Sequence, residues 1–232
     1  MENNDEGLNA QSSEKEPGEL IFEYGVDVEE KRVKYTLSEK GVKFCREKGY
    51  RVSLPGGLSL DEALALSPED RGILIAKEYD PFIYESARDQ ILDGWKEKFE
   101  VLQKGLASLG LKPDNKYEVR LTRYGTGGSY HYASSPKMVM VNLEAKKRHA
   151  PAEIICHEIV HLCIESWIQK YKYGEELHWR KEHIVDLIMR EIFPDELMQN
   201  IDSKLGAQID EIFENNKTDM EEVIKQVGSI NI

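Results

Sequence analysis

Apolar and polar positions along the chain predict a mostly helical protein interrupted by a short run of strands. Tyr117 to Tyr124 alternates, with Tyr117, Val119 and Leu121 on one side and Glu118, Arg120 and Thr122 on the other, the period of a half-buried strand. Lys137 to Leu143 contains Met138, Val139, Met140 and Val141, a strand apolar on both faces. Gly125-Thr126-Gly127-Gly128-Ser129 between them predicts a turn or a flexible loop. Near the start, Glu19 to Val28 and Lys31 to Leu37 predict a short hairpin.

Helices are marked by caps and stops. Ser38 is a suitable N-cap for a helix from Glu39 to Lys48, and Gly49 ends it. Leu54-Pro55-Gly56-Gly57 predicts a turn. Ser59, with Glu62 three positions on, has the capping-box spacing and opens another short helix, with Gly72 beyond its end. A longer helix covers Tyr84 to Leu109 and stops at Gly110 and Pro113. Pro151 suits the first turn of a helix running to Gln169. Ile154, Ile155, Ile159, Val160, Leu162, Ile164 and Trp167 surround that helix almost completely, which predicts burial. From Glu176 to Phe193, Val185, Ile188, Met189, Ile192 and Phe193 define the apolar face of a further helix.

Composition narrows the function. Hydrophobic residues make up 40% and charged residues 32%, the balance of a soluble protein with a real core. A net charge of −12 argues against a nucleic-acid partner, since phosphate binding needs clustered Lys and Arg. Lys146-Lys147-Arg148 is the one compact basic run and reads as a solvated connection from strand to helix. No stretch approaches the roughly 18 apolar residues of a membrane span, so no membrane partner is expected. Residues 1–19 read as a disordered acidic tail and have neither the basic start nor the apolar core of a secretory signal. Three cysteines, Cys45, Cys156 and Cys163, give no disulfide framework and point to a reducing, cytoplasmic compartment. The Gly-rich loop lacks the Gly-Lys-Ser/Thr ending of a phosphate cradle, and no helix begins directly after it.

Candidate chemistry lies on the buried helix, which carries His157-Glu158-Ile159-Val160-His161. Two histidines four apart leave one face a single turn apart, close enough to share a metal ion. Polar groups buried there without partners would cost about 2–7 kcal/mol each, and a metal ion is one partner for all of them. Glu158 projects about 100° round from His157, beside such a metal, where it can take a proton from bound water. Cys156 and Cys163 sit on the same helix but point away from the histidine face, and read as small core residues.

At these residues the chain resembles the zincin metallopeptidases, over Tyr117 to about Phe193. The resemblance implies one zinc ion per chain and a zincin-like α+β domain: a small mixed sheet, an active-site helix and a second ligand-bearing helix. It places a substrate-binding edge strand at Met138 to Leu143. The branch with a third histidine is excluded, because Ile164 and Trp167 hold the positions of its glycine and histidine. The glutamate-ligand branch, typified by thermolysin, has its third ligand about twenty residues on, with an aspartate four later. Glu182 and Asp186 match that spacing, although Lys181 and Val185 replace the usual Asn and Ser. Glu182 also falls on the apolar face of its own helix, where an ion pair with an arginine is the alternative to a metal. Asp186 would accept the other ring N–H of a ligand histidine, and His183 points about 100° further out. His178 is read as a substrate contact, an alternative ligand or a surface residue. Tyr130, His131 and Tyr132, in the loop before the expected edge strand, are candidate donors to the oxyanion of a tetrahedral intermediate or simply packed loop residues.

The expected organisation is a tail over 1–19, a mixed, mostly helical region over 20–112, the metallohydrolase core over 113–200 and a helical segment over 201–232. The expected activity is zinc-dependent hydrolysis of peptide or protein substrates, with Glu158 as general base. The alternative is a zincin-shaped module that keeps its metal for a binding or structural role.

Overall fold

The alternating residues of the sequence assemble into a four-stranded mixed sheet ordered β1-β2-β4-β3. The computed structural model describes residues 18–144, 150–195 and 202–230. Its strands are β1 (Glu19–Glu23), β2 (Lys116–Thr122), β3 (Gly128–His131) and β4 (Lys137–Asn142). β2 runs parallel to both neighbours, with Leu20 opposite Tyr117 and Val119 opposite Val139. β3 is antiparallel to β4 and lies at the sheet's edge, with Tyr130 opposite Val139. Tyr117, Val119, Leu121, Val139 and Val141 are all fully buried, so the inward alternation reads through both central strands. The strand at Met138 to Leu143 is therefore an interior strand, and the edge position belongs to β3, inside the segment expected to be loop.

Ten α-helices are described: α1 (Val26–Thr36), α2 (Glu39–Lys48), α3 (Leu60–Ala65), α4 (Pro68–Glu78), α5 (Pro81–Leu92), α6 (Trp95–Ser108), α7 (Pro151–Lys170), α8 (His178–Ile192), α9 (Ser203–Asn216) and α10 (Met220–Gly228). α2 begins and ends as its caps predict, with Gly41 N–H donating to Ser38 Oγ and Gly49 at a left-handed φ of 69°. α3 begins at the expected capping box of Ser59 and Glu62 but ends at Ala65, and Gly72, expected beyond its end, lies inside α4. α4 escaped the sequence reading, although Ser67 caps it and Pro68 opens it.

Two expectations fail for physical reasons. The stretch from Lys31 to Leu37 is helical, not a strand. The buried side of α1 is Val28, Glu29, Arg32, Val33 and Thr36, so charged residues occupy the inward face and disguise the helical period. The long helix over Tyr84 to Leu109 is two helices, broken where Gly94 takes a φ of 77°. That break turns Trp95 inward, and its indole N–H donates to the Gly18 carbonyl at 2.7 Å.

One hydrophobic cluster runs from Tyr84 through the sheet, α7 and α8 to Val227 on α10. A smaller one joins Val33, Leu54, Ala63, Ile75 and Tyr124. α7 packs against β3 and β4 on one side and against α8, α6 and α10 on others, which explains its all-round apolar sequence. The acidic residues expected as a tail lie, up to residue 17, outside the described residues, as does Lys146-Lys147-Arg148. Among the described residues no helix is long and apolar enough to cross a membrane.

Candidate metal centre

Because α7 is embedded on most sides, its polar residues have few directions in which to find partners. His161 is 2% exposed and Glu158 6%. α8 packs against α7 and brings Glu182, itself 7% exposed, to the histidines. His157 Nε2 and His161 Nε2 stand 3.2 Å apart. Glu182 Oε2 lies 3.5 Å from the first and 3.4 Å from the second. Among the described residues, these three form a group whose ligand atoms all fall within 4.8 Å of one another.

The triangle has the dimensions of a metal site. A tetrahedral zinc with ligand bonds of about 2.0–2.1 Å sets its ligand atoms about 3.3–3.4 Å apart. Two imidazoles and a carboxylate also make a donor set that zinc takes in catalytic centres. The residues present therefore fit the ion that the sequence resemblance implies.

Charge fits as well. Burial holds the His161 pKa down to about 4, so the ring stays neutral, as a ligand must. For His157 burial acts in the same direction, but the hydrogen bond to Glu182 and the charges of Glu158, Glu182 and Asp186 outweigh it and raise its pKa to about 9. Glu182 is held well below the usual carboxylate range: burial opposes this, and the facing imidazoles outweigh it. A cation held among these groups would replace a proton shared between the imidazoles and Glu182.

Two different contacts orient the histidines. Asp186, 3% exposed, places Oδ1 3.8 Å from His157 Nδ1, on the side of the ring away from Glu182. Among the described residues, His161 Nδ1 is buried without a hydrogen-bond partner. Its ring is instead held by Tyr130, which stacks on it at 5.0 Å with 17° between planes.

Glu158 reaches past the triangle towards β3. A Cβ added at Gly128 would overlap Glu158 Oε1, so the carboxylate occupies space that only a glycine leaves free. Burial pushes the Glu158 pKa up to about 7, with Glu182 adding to the rise and His157, Lys181 and Arg32 opposing it. A carboxylate poised there can both take and return a proton near neutrality.

Arg32, on α1, was not anticipated. It is 5% exposed, and its guanidinium donates to the Tyr124 carbonyl at 3.4 Å and to Thr126 Oγ1 and Ser129 Oγ at 3.3 Å. The loop read as flexible is thus tied to α1 on one side while Gly128 touches Glu158 on the other. Gly125, at φ 91°, passes so close to Arg32 that a side chain there would strike it.

The remaining candidates divide. Tyr130, on β3 rather than in a loop, donates its hydroxyl to Glu165 Oε2 at 2.5 Å and accepts from Lys181 Nζ at 3.2 Å. His131 ends β3 and is exposed, whereas Tyr132 is half-buried with the Lys137 ammonium 4.9 Å over its ring. His178 is not a surface residue: its side chain is 10% exposed, Nδ1 lies 3.7 Å from Glu182 Oε1, and Nε2 lies 2.9 Å from the Tyr50 hydroxyl. Tyr50, beyond the end of α2, was also missed, and nothing local in the sequence marks it. Burial, and then the charges of Glu182, Glu158 and Asp186, push its phenol pKa well above the ordinary value. His183 faces away from the triangle as expected, but into the protein rather than outward: it is 5% exposed and meets Asp210 of α9 at 2.8 Å. Arg180, near Glu182 in sequence, turns to the carbonyls of Val227 and Ile230 at 3.0 and 2.9 Å. Cys156 is buried, and Cys163 Sγ lies 3.7 Å from the Lys112 carbonyl.

No protein-family model, no curated protein and no solved structure matches this chain.

Proposed function

We propose that the chain is a zinc-dependent peptidase whose ion is held by His157, His161 and Glu182. The observation that carries this reading is the convergence of three buried ligand atoms from two helices at 3.2, 3.4 and 3.5 Å, with the Glu158 carboxylate buried beside them. Zinc bound there supplies Lewis-acid chemistry, acidifying water and polarising a substrate carbonyl.

The chain's own residues do the rest. Glu158 takes the proton of the attacking water and returns it to the leaving amine, work for which a pKa near neutrality suits it. Asp186 and Tyr130 hold the two imidazoles in orientation. β3 has one side hydrogen-bonded to β4, and among the described residues no strand pairs with its other side. An extended peptide adding to that side lies alongside the histidine-bearing helix, main chain to main chain. A sheet-edge strand packed against a helix carrying two histidines and a glutamate, with the third ligand on a following helix, also supports a zincin-like arrangement.

The test is elemental analysis of the native protein together with hydrolysis of a peptide library by native and Glu158→Gln chains. About one zinc per chain and cleavage lost in the variant support the reading. Zinc without cleavage of any peptide selects the metal-binding module, and absence of metal removes both.

A further inference from the structure

The side of the centre opposite His157 and His161 is built from aromatic residues of two distant segments. His178 opens α8, one turn before Glu182, and its ring is enclosed by Phe44 edge-on at 5.2 Å, Trp179 at 4.9 Å and Tyr50 at 5.9 Å. Tyr50 stacks in turn on Phe44 and Trp179, at 5.5 and 5.7 Å. Within this enclosure the Tyr50 hydroxyl lies 2.9 Å from His178 Nε2, while His178 Nδ1 lies 3.7 Å from Glu182 Oε1. Oε1 is the carboxylate oxygen turned from the two histidines, and Lys181 Nζ also faces it at 4.0 Å.

The proton inventory of this chain of contacts is restrictive. An ionised carboxylate only accepts, and a neutral imidazole carries one N–H. The favourable tautomer therefore has its hydrogen on Nδ1, towards Glu182, and a bare Nε2. A bare Nε2 needs a donor, and the Tyr50 O–H is at hydrogen-bond distance. At 3.7 Å the Nδ1–Oε1 contact is longer than a hydrogen bond and acts as a dipole directed at the carboxylate.

We propose that Tyr50 is a positioning residue for the metal centre: its hydroxyl fixes His178 as the Nδ1–H tautomer, whose N–H dipole steadies Glu182 Oε1 and leaves Oε2 to face the imidazoles. This rests on the reading of His157, His161 and Glu182 as ligands. It assigns the segment after α2 a part in the centre, although that segment lies more than a hundred residues from the nearest ligand in sequence.

Tyr50→Phe keeps the ring stacks and removes only the O–H. His178→Asn keeps an amide N–H where Nδ1–H stands, with no tautomer to fix, whereas His178→Ala removes it. Zinc affinity is measured in the full chain by competition with a chelator, with the absorption spectrum of the cobalt-substituted protein as a second readout. Tyr50→Phe is expected to weaken zinc binding by about 10-fold, and His178→Ala by about 10–100-fold. Each should change the cobalt spectrum, while the unfolding temperature of the metal-free Tyr50→Phe protein stays at the native value. His178→Asn should retain near-native affinity, and adding Tyr50→Phe to it should cause no further loss. Native affinity and spectrum in Tyr50→Phe would overturn the proposal, as would an equal loss on adding Tyr50→Phe to His178→Asn. Failure of the native chain itself to bind zinc would instead remove the ligand assignment on which the proposal stands.

Discussion

The Tyr130 ring lies nearly parallel to that of His161, with 5.0 Å between centroids and 17° between planes. It is the contact that orients a histidine whose Nδ1 has no hydrogen-bond partner among the described residues. Aromatic stacking of this kind contributes about 0.5–1.5 kcal/mol beyond area burial. Tyr130→Leu should therefore weaken zinc binding by about 2–12-fold. Tyr130→Phe, which keeps the ring and gives up the contacts to Glu165 and Lys181, should bind zinc like the native chain. Zinc competition titrations of the two variants side by side check this, and equal losses in both would assign the effect to the hydroxyl.

Glu182→Ala should abolish tight zinc binding, because it removes one ligand and leaves His157 without its carboxylate partner. Asp186→Ala should reduce affinity by about 10–100-fold through loss of orientation at His157. His183→Ala breaks the contact between α8 and α9 and should lower stability by about 1–3 kcal/mol while leaving one zinc per chain. Metal content and denaturant unfolding of the three variants separate these outcomes. Loss of metal in His183→Ala with retention in Glu182→Ala would invert the assignment.

Removal of zinc should destabilise the fold, since its ligands join α7 to α8. At a thousandfold excess of zinc over its Kd the added stability is about 4 kcal/mol. For a domain of this size that raises Tm by about 8–16 °C. Scanning calorimetry of chelated protein with and without added zinc measures the shift. His157→Ala and His161→Ala should show little of it.

Gly128→Ala probes Glu158 without replacing it. The new methyl takes the space of Glu158 Oε1, the end of a flexible side chain, and presses on Ile154 Cγ2, so the carboxylate moves and Ile154 shifts by a smaller amount. Zinc binding should survive, whereas hydrolysis should fall by about 10²-fold, the order of a misplaced proton-transfer group. Native turnover of any cleaved peptide would show that the carboxylate's place against β3 is immaterial.

Glu29 tests the support behind the site. It is 1% exposed and accepts from the Tyr84 hydroxyl, Thr122 Oγ1 and the Arg123 backbone N–H, tying α1 and α5 to the end of β2. Glu29→Ala strands the Tyr84 hydroxyl and the Arg123 N–H, while Thr122 Oγ1 keeps the Tyr124 carbonyl as acceptor at 3.2 Å, and should cost about 2–5 kcal/mol in urea unfolding. Zinc stoichiometry in the folded fraction should remain unchanged.

The grouping of His157, His161 and Glu182 was readable because its determinants are local. His157 and His161 share a face by helical spacing alone, and Glu182 falls among Val185, Ile188 and Met189 by the same arithmetic. The inward alternation of Tyr117, Val119 and Leu121 likewise needs no distant partner to be seen. What escaped depends on contacts between segments far apart in sequence. Arg32 fell within an expected strand and Glu29 between two expected strands, and their partners in the 122–129 stretch are about ninety residues away. Strand order was hidden too: the alternating pattern places β4 in a sheet, but only the pairing of β2 with β4 makes it interior and leaves the edge to β3. Tyr50 carries no local mark because its contacts with His178 and Trp179 join segments more than a hundred residues apart.

The tether from Arg32 to Thr126 and Ser129, together with β1 along β2, governs how the chain can be cut. A fragment starting near residue 113 would keep His157, His161 and Glu182 yet bare the main-chain N–H and C=O groups along the margin of β2 that β1 pairs with. An uncovered strand margin of that kind templates pairing between molecules. Such a fragment should therefore clump as it is made, and adding back residues 18–112 as a separate chain should keep it dispersed.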